Sequence, residues 1–349
     1  MTNALDHSKQ LPNNKNIFKQ IALIFNQRAK TYLSQPHPVL REAAKRMHER
    51  LGYIKLTPAN LLDAGCGAGS DIKLLQQKYL GADVFGTDIS IDMLKTALNS
   101  QTNAQAVSKH LLSPKSWFRS RAQHNLNFIQ SNFAVLPFAC DCFDLIWSNL
   151  ALHWYINPNQ DFDFHSRSDS HPHPHLITAI SEWHRVLKQD GLIMFSAFGP
   201  DTLIELRNLP IDFEKIQISE TKFLEPAINF IDMHDYGDML VASGFDNVVM
   251  DRDTITMTYD DVETYLNDIE LLAVHTKFCA QLNNFNNHFE NLENHRQVLK
   301  VALLRQLNNN PNGLSLTFEI VYGHAFKGKS RKQKLIENSV VRVEDIAQR

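Results

Sequence analysis

Short runs of apolar residues alternate along this chain with longer segments in which apolar residues recur roughly every three to four positions. The short runs end in Gly, Asp or other turn residues and are typical of buried strands, whereas the longer segments are typical of amphipathic helices. Strands are predicted at residues 59–62, 82–88, 126–130, 192–197, 254–259 and 316–327, with one more that begins at Phe143. This alternation predicts an open α/β sheet.

Two helices are predicted before the first strand, over Ile17–Ser34 and from Pro38 to Leu51. The first carries Phe18, Ile21, Phe25, Ala29 and Tyr32 on roughly one face. The segment from Phe25 to Tyr32 has two interpretations. It either caps the domain or folds back across the mouth of a binding site and closes over the ligand.

The first strand runs into three glycines at alternate positions. Asp63 follows the apolar residues of the strand, Gly65, Gly67 and Gly69 follow Asp63, and a helix is expected to start near residue 70. Glycines are needed where the backbone takes a positive φ or touches a ligand, and the amides at a helix start favour an anionic group. The third glycine comes one residue too early for a dinucleotide fingerprint. The stretch therefore predicts a site for a small ligand with an anionic group.

A second buried strand ends in Asp88, which lies 19 residues after Gly69. In nucleotide-binding βαβ units an acid near this spacing pairs with the ribose hydroxyls, because one carboxylate can accept from both. The alternative is that Asp88 caps the next helix, although Ser90 can serve as that cap.

The loop after the fourth strand carries polar and aromatic residues at the edge of the sheet where active sites of this architecture lie. The candidates for lining the site are therefore Ser148, Asn149, His153 and Trp154. The alternative for His153 and Trp154 is packing under the next helix.

Composition narrows the function classes. The chain has 349 residues, 43% hydrophobic and 21% charged, and a net charge of −3, which gives no electrostatic footprint for nucleic acid. Its four cysteines form no C-x-x-C pair, no apolar run is long enough for a membrane span, and the N-terminus lacks the apolar core of a signal peptide. A His-Pro-His-Pro-His run at 171–175 lacks acids in a ligand pattern, so no metal is expected. We expect a cytoplasmic enzyme.

Four motifs then fall into register: Asp63-x-Gly65-x-Gly67-x-Gly69, Asp88, Phe143-Asp144-Leu145-Ile146, and Arg185-Val186-Leu187-Lys188-x-x-Gly191. In order and spacing this set resembles the class I S-adenosylmethionine-dependent methyltransferases over roughly residues 55–200. The resemblance implies a Rossmann-like, seven-stranded, mostly parallel sheet with helices on both faces and an antiparallel edge strand. It also implies S-adenosyl-L-methionine as co-substrate, held by Asp63, Gly65, Gly67, Gly69, Asp88, Asn132, Phe133 and Asn149.

Two of these positions carry qualifications. Many class I methyltransferases have an acid where this chain has Asn132, and that acid holds the adenine amino group; an Asn can still accept through its carbonyl oxygen. Phe133 either stacks on the adenine or packs in the core.

The half of the chain beyond the core extends the resemblance. Asn149–Trp154, Phe198–Leu203, Phe230–His234 and Phe318–His324 look like segments of the malonyl-acyl-carrier-protein O-methyltransferases of biotin synthesis, a similarity that covers about residues 17–327. The methyltransferase-like arginine hydroxylase that assists assembly of respiratory complex I shares the His-Trp and Phe-Gly-x-Asp-Thr-Leu segments. A protein-arginine hydroxylase and a non-catalytic S-adenosylmethionine-binding assembly factor are therefore the alternatives.

The resemblance implies methylation of the free carboxylate of a malonyl thioester, carried by acyl carrier protein or coenzyme A. That carboxylate is ionised at neutral pH, so no general base is needed. Arg207 and Arg28 are the cationic candidates to hold it, with Tyr32, His153 and Trp154 as donors. Arg207→Ala is expected to raise the KM for the malonyl thioester and to leave co-substrate binding intact, unless Arg207 only forms a surface salt bridge.

The predicted organisation is a disordered tail at 1–16, a helical cap at 17–56, a co-substrate-binding core at 57–200, substrate-side helices and edge strands at 201–327, and a loose tail at 328–349. Polar insertions are expected at 157–175 and 283–297. An acidic carrier protein would meet a basic patch, for which two sets are candidates: Lys109, Lys115, Arg119 and Arg121, or Lys327, Lys329, Arg331, Lys332 and Lys334. A monomer is expected.

Overall fold

A computed structural model describes residues 14–32, 37–100, 126–155, 173–210, 230–272, 292–310 and 312–328. The helices are α1 (Asn14–Arg28), α2 (Pro38–Leu51), α3 (Ser70–Lys78), α4 (91–100), α5 (Pro174–Val186), α6 (Ile204–Arg207), α7 (Met233–Ala242), α8 (Val262–Leu271) and α9 (Leu292–Asn309). The strands are β1 (Asn60–Ala64), β2 (Asp83–Asp88), β3 (Leu126–Gln130), β4 (Phe143–Ser148), β5 (Leu187–Phe198), β6 (Phe245–Tyr259) and β7 (Leu314–Lys327). A short 3₁₀ helix, Leu152–Tyr155, follows β4.

These strands form one seven-stranded sheet in the order β3-β2-β1-β4-β5-β7-β6. The pairs from β3 to β5 are parallel, whereas β7 runs antiparallel to both β5 and β6. The expected fold class is confirmed, with the antiparallel strand second from the edge and β6 outermost. Strand order reverses between β1 and β4, and ligands of open α/β sheets bind outside the carboxyl ends of the strands at such a point.

The central strands are buried on both faces because helices cover both sides of the sheet. Leu61 packs with α2 and α3 on one face, and its neighbour Leu62 packs with α5 and α7 on the other. The same alternation places Leu145 and Ile146 of β4 in opposite layers. Continuous apolar sequence in these strands therefore fills two cores at once.

Strand β6 is much longer than its predicted extent of 254–259. The middle of the strand contains Asp251 and Asp253, which are not typical strand residues. In the structure Asp251 pairs with Arg50 of α2 at 2.5 Å and Asp253 pairs with Arg46 at 2.5 Å. The ion pairs with α2 let a charged segment continue the strand, which the hydrophobic pattern alone did not reveal.

Helix α1 ends at Arg28 rather than near Ser34, although a turn continues through Tyr32, whose amide donates to the Arg28 carbonyl at 3.0 Å. The predicted tail at 1–16 and the insertions at 157–175 and 283–297 lie largely outside the described residues. The basic residues proposed for carrier docking do too, apart from Lys327, which pairs with Asp141 at 2.7 Å. Within the described part, no helix is both long enough and apolar enough to cross a bilayer.

The contact between β7 and β5 offers a test of the packing. A Cβ on Gly323 of β7 would lie 2.4 Å from the Phe195 ring. We expect Gly323→Ala to lower the free energy of unfolding by about 1–3 kcal/mol, because extra volume in a packed core forces side chains off their rotamers. Urea denaturation measures this change.

Gly237→Ala in α7 is the matched control. A Cβ at Gly237 has its nearest atom at 3.4 Å, and alanine favours the helix over glycine by about 1 kcal/mol. This control should be neutral or stabilising. Equal destabilisation by both variants would contradict the packing argument.

Candidate active site

A cleft of about 860 Å³ opens at the carboxyl ends of β1, β2 and β4, where strand order reverses. Its floor is the loop that joins β1 to α3, and its roof is α1. The residues that line it include Phe25, Arg28, Tyr32, Gly65, Gly67, Asp88, Asn132, Phe133, Asn149, His153, Trp154 and Phe198. Most of the residues predicted for the site therefore meet in one place.

The glycine loop takes backbone angles that side chains disfavour. Gly65 has φ 82° and Gly67 has φ 50°. A Cβ on Gly65 would lie 2.5 Å from the Ala151 Cβ and 2.7 Å from the Phe133 ring. Gly69, with φ 76°, directly precedes α3 and stands away from the cleft lining. The loop thus presents bare backbone to the cleft.

Asp88 ends β2 and holds this loop in place. One carboxylate oxygen accepts from the Gly67 amide at 2.9 Å, and the other accepts from the Ser90 amide at 2.8 Å. Ser90 caps the following helix, since its Oγ accepts from the Met93 amide at 3.1 Å. The alternative role of Asp88 as helix cap is therefore filled by Ser90, and the buried Asp88 carboxylate faces the cleft with its pKa raised to about 6 by burial.

A second compartment of about 490 Å³ adjoins the cleft and shares Tyr32, Gly65 and Asn149 with it. Asp63 and Asp71 both line it and both are buried. The Asp63 Oδ2 has no hydrogen-bond partner among the described residues. Burial, with the nearby charges of Asp71 and Asp88, raises the pKa of Asp63 well above its usual range.

The residues after β3 form one wall of the cleft, where the sequence predicts the adenine. Asn132 Oδ1 accepts from the Ala134 amide at 2.8 Å, so the carbonyl oxygen predicted to accept from the adenine already has a partner in a local turn. Phe133 lines the cleft and also stacks on Tyr155, with ring centroids 4.9 Å apart. One of its faces is therefore packed in the core, so the two interpretations of Phe133 are not exclusive.

The opposite wall is aromatic. His153 and Trp154 lie on the 3₁₀ helix after β4 and are buried at 1% and 6% exposure. The His153 ring lies 4.7 Å from the Phe198 ring, and Trp154 meets Phe25 of the roof edge-on at 5.1 Å. Both residues line the cleft as well as packing.

The end of α1 and its following turn place Arg28 and Tyr32 over the glycine loop. The Arg28 guanidinium lies 5.4 Å from the Phe25 ring centroid and 5.9 Å from that of Tyr32. Burial lowers the pKa of Arg28 to about 10, so it remains a cation at neutral pH. Burial raises the pKa of Tyr32 to about 12, so its phenol remains a donor.

Arg207, the other cationic candidate, does not line the cleft. Its guanidinium donates to the Pro200 carbonyl, within the turn that follows β5. Among the described residues it forms no surface salt bridge, which was its alternative role, and its contact with Pro200 stabilises the turn after β5.

Three contributors to this site were not named as candidates. Asp71, in the first turn of α3, accepts from Trp147 Nε1 at 3.0 Å. Asn26 of α1 accepts from Ser90 Oγ at 2.6 Å and fastens the roof to the floor. The position of Asp71, two residues after the last glycine of the loop, could have identified it from the sequence. Trp147 has no such signal, because it looks like an ordinary strand residue.

The strand order, the glycine loop and the acid at the end of β2 together define a class I S-adenosylmethionine-dependent methyltransferase. A methyltransferase domain family matches residues 62–195. The malonyl-[acyl-carrier protein] O-methyltransferase of Gallionella capsiferriformans is 36% identical over 297 residues, which cover 83% of this chain and 84% of the relative. The protein of the same name from Nitrosospira multiformis is 32% identical over 310 residues, covering 87% and 88%.

Among solved structures, the YcgJ protein of Bacillus subtilis superposes with a TM-score of 0.46 at 18% identity, covering 82% of this chain and 99% of its own. On the sequence relatives, the chain belongs to the malonyl-[acyl-carrier protein] O-methyltransferase family. S-adenosylmethionine is its co-substrate. The residues fit that ligand, because a cradle that a Cβ on Gly65 would fill lies beside an orphaned buried carboxylate oxygen on Asp63.

The burial of Asp63 predicts that ionisation of this carboxyl group lowers the stability of the ligand-free protein. Its pKa is raised in the folded state, so ionisation at neutral pH opposes folding, and this loss disappears as the pH falls below the unfolded value of about 4. We expect Asp63→Asn to raise the free energy of unfolding of the ligand-free protein at pH 8 by about 1 kcal/mol or more, since one pKa unit equals about 1.4 kcal/mol.

Urea denaturation at several pH values measures the gain, which should shrink with falling pH. The exposed Asp190 of β5, whose φ of 60° Asn also adopts, supplies the control Asp190→Asn. A gain that does not depend on pH would contradict the electrostatic explanation.

Proposed function

We propose that this protein transfers a methyl group from S-adenosylmethionine to the free carboxylate of a malonyl thioester carried by acyl carrier protein, an early step of biotin synthesis. The observation that carries the proposal is a desolvated guanidinium in an aromatic cleft: Arg28 lines the cleft, and no carboxylate of the described residues pairs with it. A buried cation of this kind calls for an anionic ligand group. The names of the relatives agree with that chemistry.

The acceptor substrate needs no chemical activation by the protein. A malonyl half-thioester is ionised at neutral pH, so its carboxylate is already the nucleophile and the site needs no general base. S-adenosylmethionine supplies an electrophilic methyl group on a sulfonium. What the chain must provide is placement of the carboxylate oxygen in line with that methyl group, which contributes several kcal/mol as effective molarity.

Four side chains are proposed to hold the acceptor carboxylate. Arg28 provides the charge, and Tyr32, His153 and Trp154 provide neutral donors around it. The raised pKa of Tyr32 keeps its phenol protonated, so that it donates rather than repels. Arg207 stands outside this group because its guanidinium is engaged with the Pro200 carbonyl.

The roof is proposed to exclude water. Ile21 and Phe25 of α1 meet Trp154 of the far wall in one apolar cluster above the cleft. A hydrated carboxylate is a poor nucleophile, so an apolar cover next to Arg28 strengthens the acceptor and the electrostatic contacts that orient it.

Acyl carrier protein is preferred here to coenzyme A as the carrier on the names of the relatives alone. Those names do not favour the arginine hydroxylase or the non-catalytic factor. A cytoplasmic location and a monomeric state remain predictions from the sequence.

Incubation of the full chain with S-adenosylmethionine and malonyl-acyl carrier protein tests the proposal. Intact-mass analysis should show the gain of one methyl group on the malonyl arm, reversed by mild ester hydrolysis. Acetyl-acyl carrier protein, which lacks the free carboxylate, is the matched substrate control, and malonyl-coenzyme A measures carrier preference. Absence of product from a protein that binds S-adenosylhomocysteine tightly would favour the non-catalytic alternative.

Arg28→Gln tests the carboxylate contact. Removing a charged hydrogen-bond partner is expected to raise the KM for malonyl-acyl carrier protein about 10- to 100-fold. Binding of S-adenosylhomocysteine, measured by calorimetry, should change much less.

Arg207→Gln is the matched control, because Arg207 carries the same charge outside the cleft, and its KM should stay close to the native value. Equal loss of substrate and S-adenosylhomocysteine affinity in Arg28→Gln would assign Arg28 to the co-substrate instead. A large KM effect in Arg207→Gln alone would return the role to Arg207.

A further inference from the structure

The main cleft ends beside β5 in an apolar wall. Phe198, the last residue of β5, lines this end of the cleft together with Leu150 and Leu272. The ribose and the adenine are predicted to lie at Asp88, which ends β2, and at Asn132, which follows β3. Strands β1 and β4 separate β2 and β3 from β5. The wall at Phe198 is therefore the part of the cleft that is left for the acceptor.

The ring of Phe198 is packed against other rings on several sides. Its centroid lies 4.7 Å from that of His153, 5.6 Å from that of Phe230 and 6.0 Å from that of Phe318. The side chain is only 1% exposed, although it lines the cleft. Because protein interiors are close-packed, the ring has little space into which it could swing away from a ligand.

The backbone just beyond Phe198 is fixed by Glu319 of β7. The Gly199 amide donates to the Glu319 carbonyl at 2.9 Å, and the Asp201 amide donates to Glu319 Oε2 at 2.8 Å. Arg252 of β6 donates from Nη1 to Glu319 Oε1 at 3.1 Å. A Cβ on Gly199 would lie 2.6 Å from Glu319 Cδ, so this glycine leaves the space that the buried carboxylate occupies. The turn after β5 is thus anchored to the sheet, and Phe198 forms a rigid wall.

This wall adjoins a group proposed to bind the acceptor carboxylate. His153 is one of the proposed donors, and its ring contacts the ring of Phe198. In a malonyl thioester a single methylene group separates the carboxylate from the thioester carbonyl. If the carboxylate is held in line with the methyl donor, the additional methylene of a longer acyl group has to be placed against the wall. A closely fitting pocket discriminates between groups that differ by one methylene about 10- to 200-fold.

We propose that Phe198 sets the length of the acyl group that the cleft accepts. Its ring fills the space beside the acceptor carboxylate, so that a malonyl group fits and longer dicarboxylic half-thioesters, such as succinyl, are excluded. The inference rests on the proposed function, because it takes the free carboxylate of a malonyl thioester as the acceptor. It adds the residue that distinguishes this acceptor from its longer homologues.

Calorimetric titration of the full chain with malonyl- and succinyl-acyl carrier protein tests this role. The titrations are done in the presence of S-adenosylhomocysteine, which has no methyl group to transfer, so that binding is measured without turnover. The carrier protein and its prosthetic arm are common to both ligands, and the ratio of the two Kd values therefore reports the acyl group alone. We expect the native chain to bind the malonyl form about 10- to 200-fold more tightly.

Phe198→Leu is the variant that opens the wall while keeping it apolar. It should lower the ratio at least about 5-fold, chiefly through tighter binding of the succinyl form, because the smaller side chain leaves room for one more methylene. The ratio of kcat/KM values for methylation of the two carrier proteins should change in the same direction. If Phe198→Leu does not fold, Phe230→Leu removes a ring that supports Phe198 and should lower the ratio as well.

Phe195→Leu is the matched control. Phe195 lies on the same strand and is equally buried, but it packs in the opposite core layer and does not line the cleft. The same change of side chain should leave the ratio at its native value.

The outcomes separate this inference from the proposed reaction. Equal binding of both carrier proteins by the native chain, an unchanged ratio in Phe198→Leu, or a similar fall in Phe195→Leu would overturn the role of Phe198, even in a chain that methylates the malonyl group. A native preference for the malonyl form that Phe198→Leu abolishes, in a chain that transfers no methyl group, would uphold the role of Phe198 and refute the proposed reaction.

Discussion

Three buried carboxylates around one glycine loop are the constraint on which the rest of this site depends. The charges of Asp71 and Asp88 both act on Asp63, and burial raises the pKa of all three carboxylates. Two of them are held by donors from β4 and from the loop itself, while one oxygen of the third is left open. Negative charge concentrated in this way is unfavourable in an empty fold and favourable around a cationic ligand.

The roof of the cleft is attached by a different kind of interaction. Helix α1 makes aromatic contacts with the far wall, and at the floor its Asn26 Oδ1 accepts hydrogen bonds from Ser90 Oγ and from the Asp92 amide. The same short stretch that provides these contacts also carries Arg28 and Tyr32. One segment therefore supplies both the apolar cover of the cleft and two of the polar side chains that line it.

Much of the architecture could be predicted from sequence, because buried strands and a glycine loop leave strong local patterns. The loop, Asp88 and the segment ending in Trp154 were identified and do meet in one cleft. Asp71 was missed as a ligand-facing group because an acid in the first turn of a helix is ordinary in sequence. The contact between the Arg207 guanidinium and the Pro200 carbonyl could not be predicted, because only the three-dimensional turn after β5 brings the two groups together. The length of β6 depended on ion pairs with a distant helix, which periodicity does not report.

The charged residues of β6 bear on whether the exposed edge of the sheet pairs with other chains. This strand is the outermost of the sheet and fifteen residues long, so an unprotected edge would invite pairing with a second chain. Aspartates and an arginine run along its middle, two of them bound to α2, and its register with β7 shifts between Asp246 and Val249. Charge and an irregular edge discourage the sheet from growing by addition of another strand, so a long outermost strand need not act as a template for aggregation.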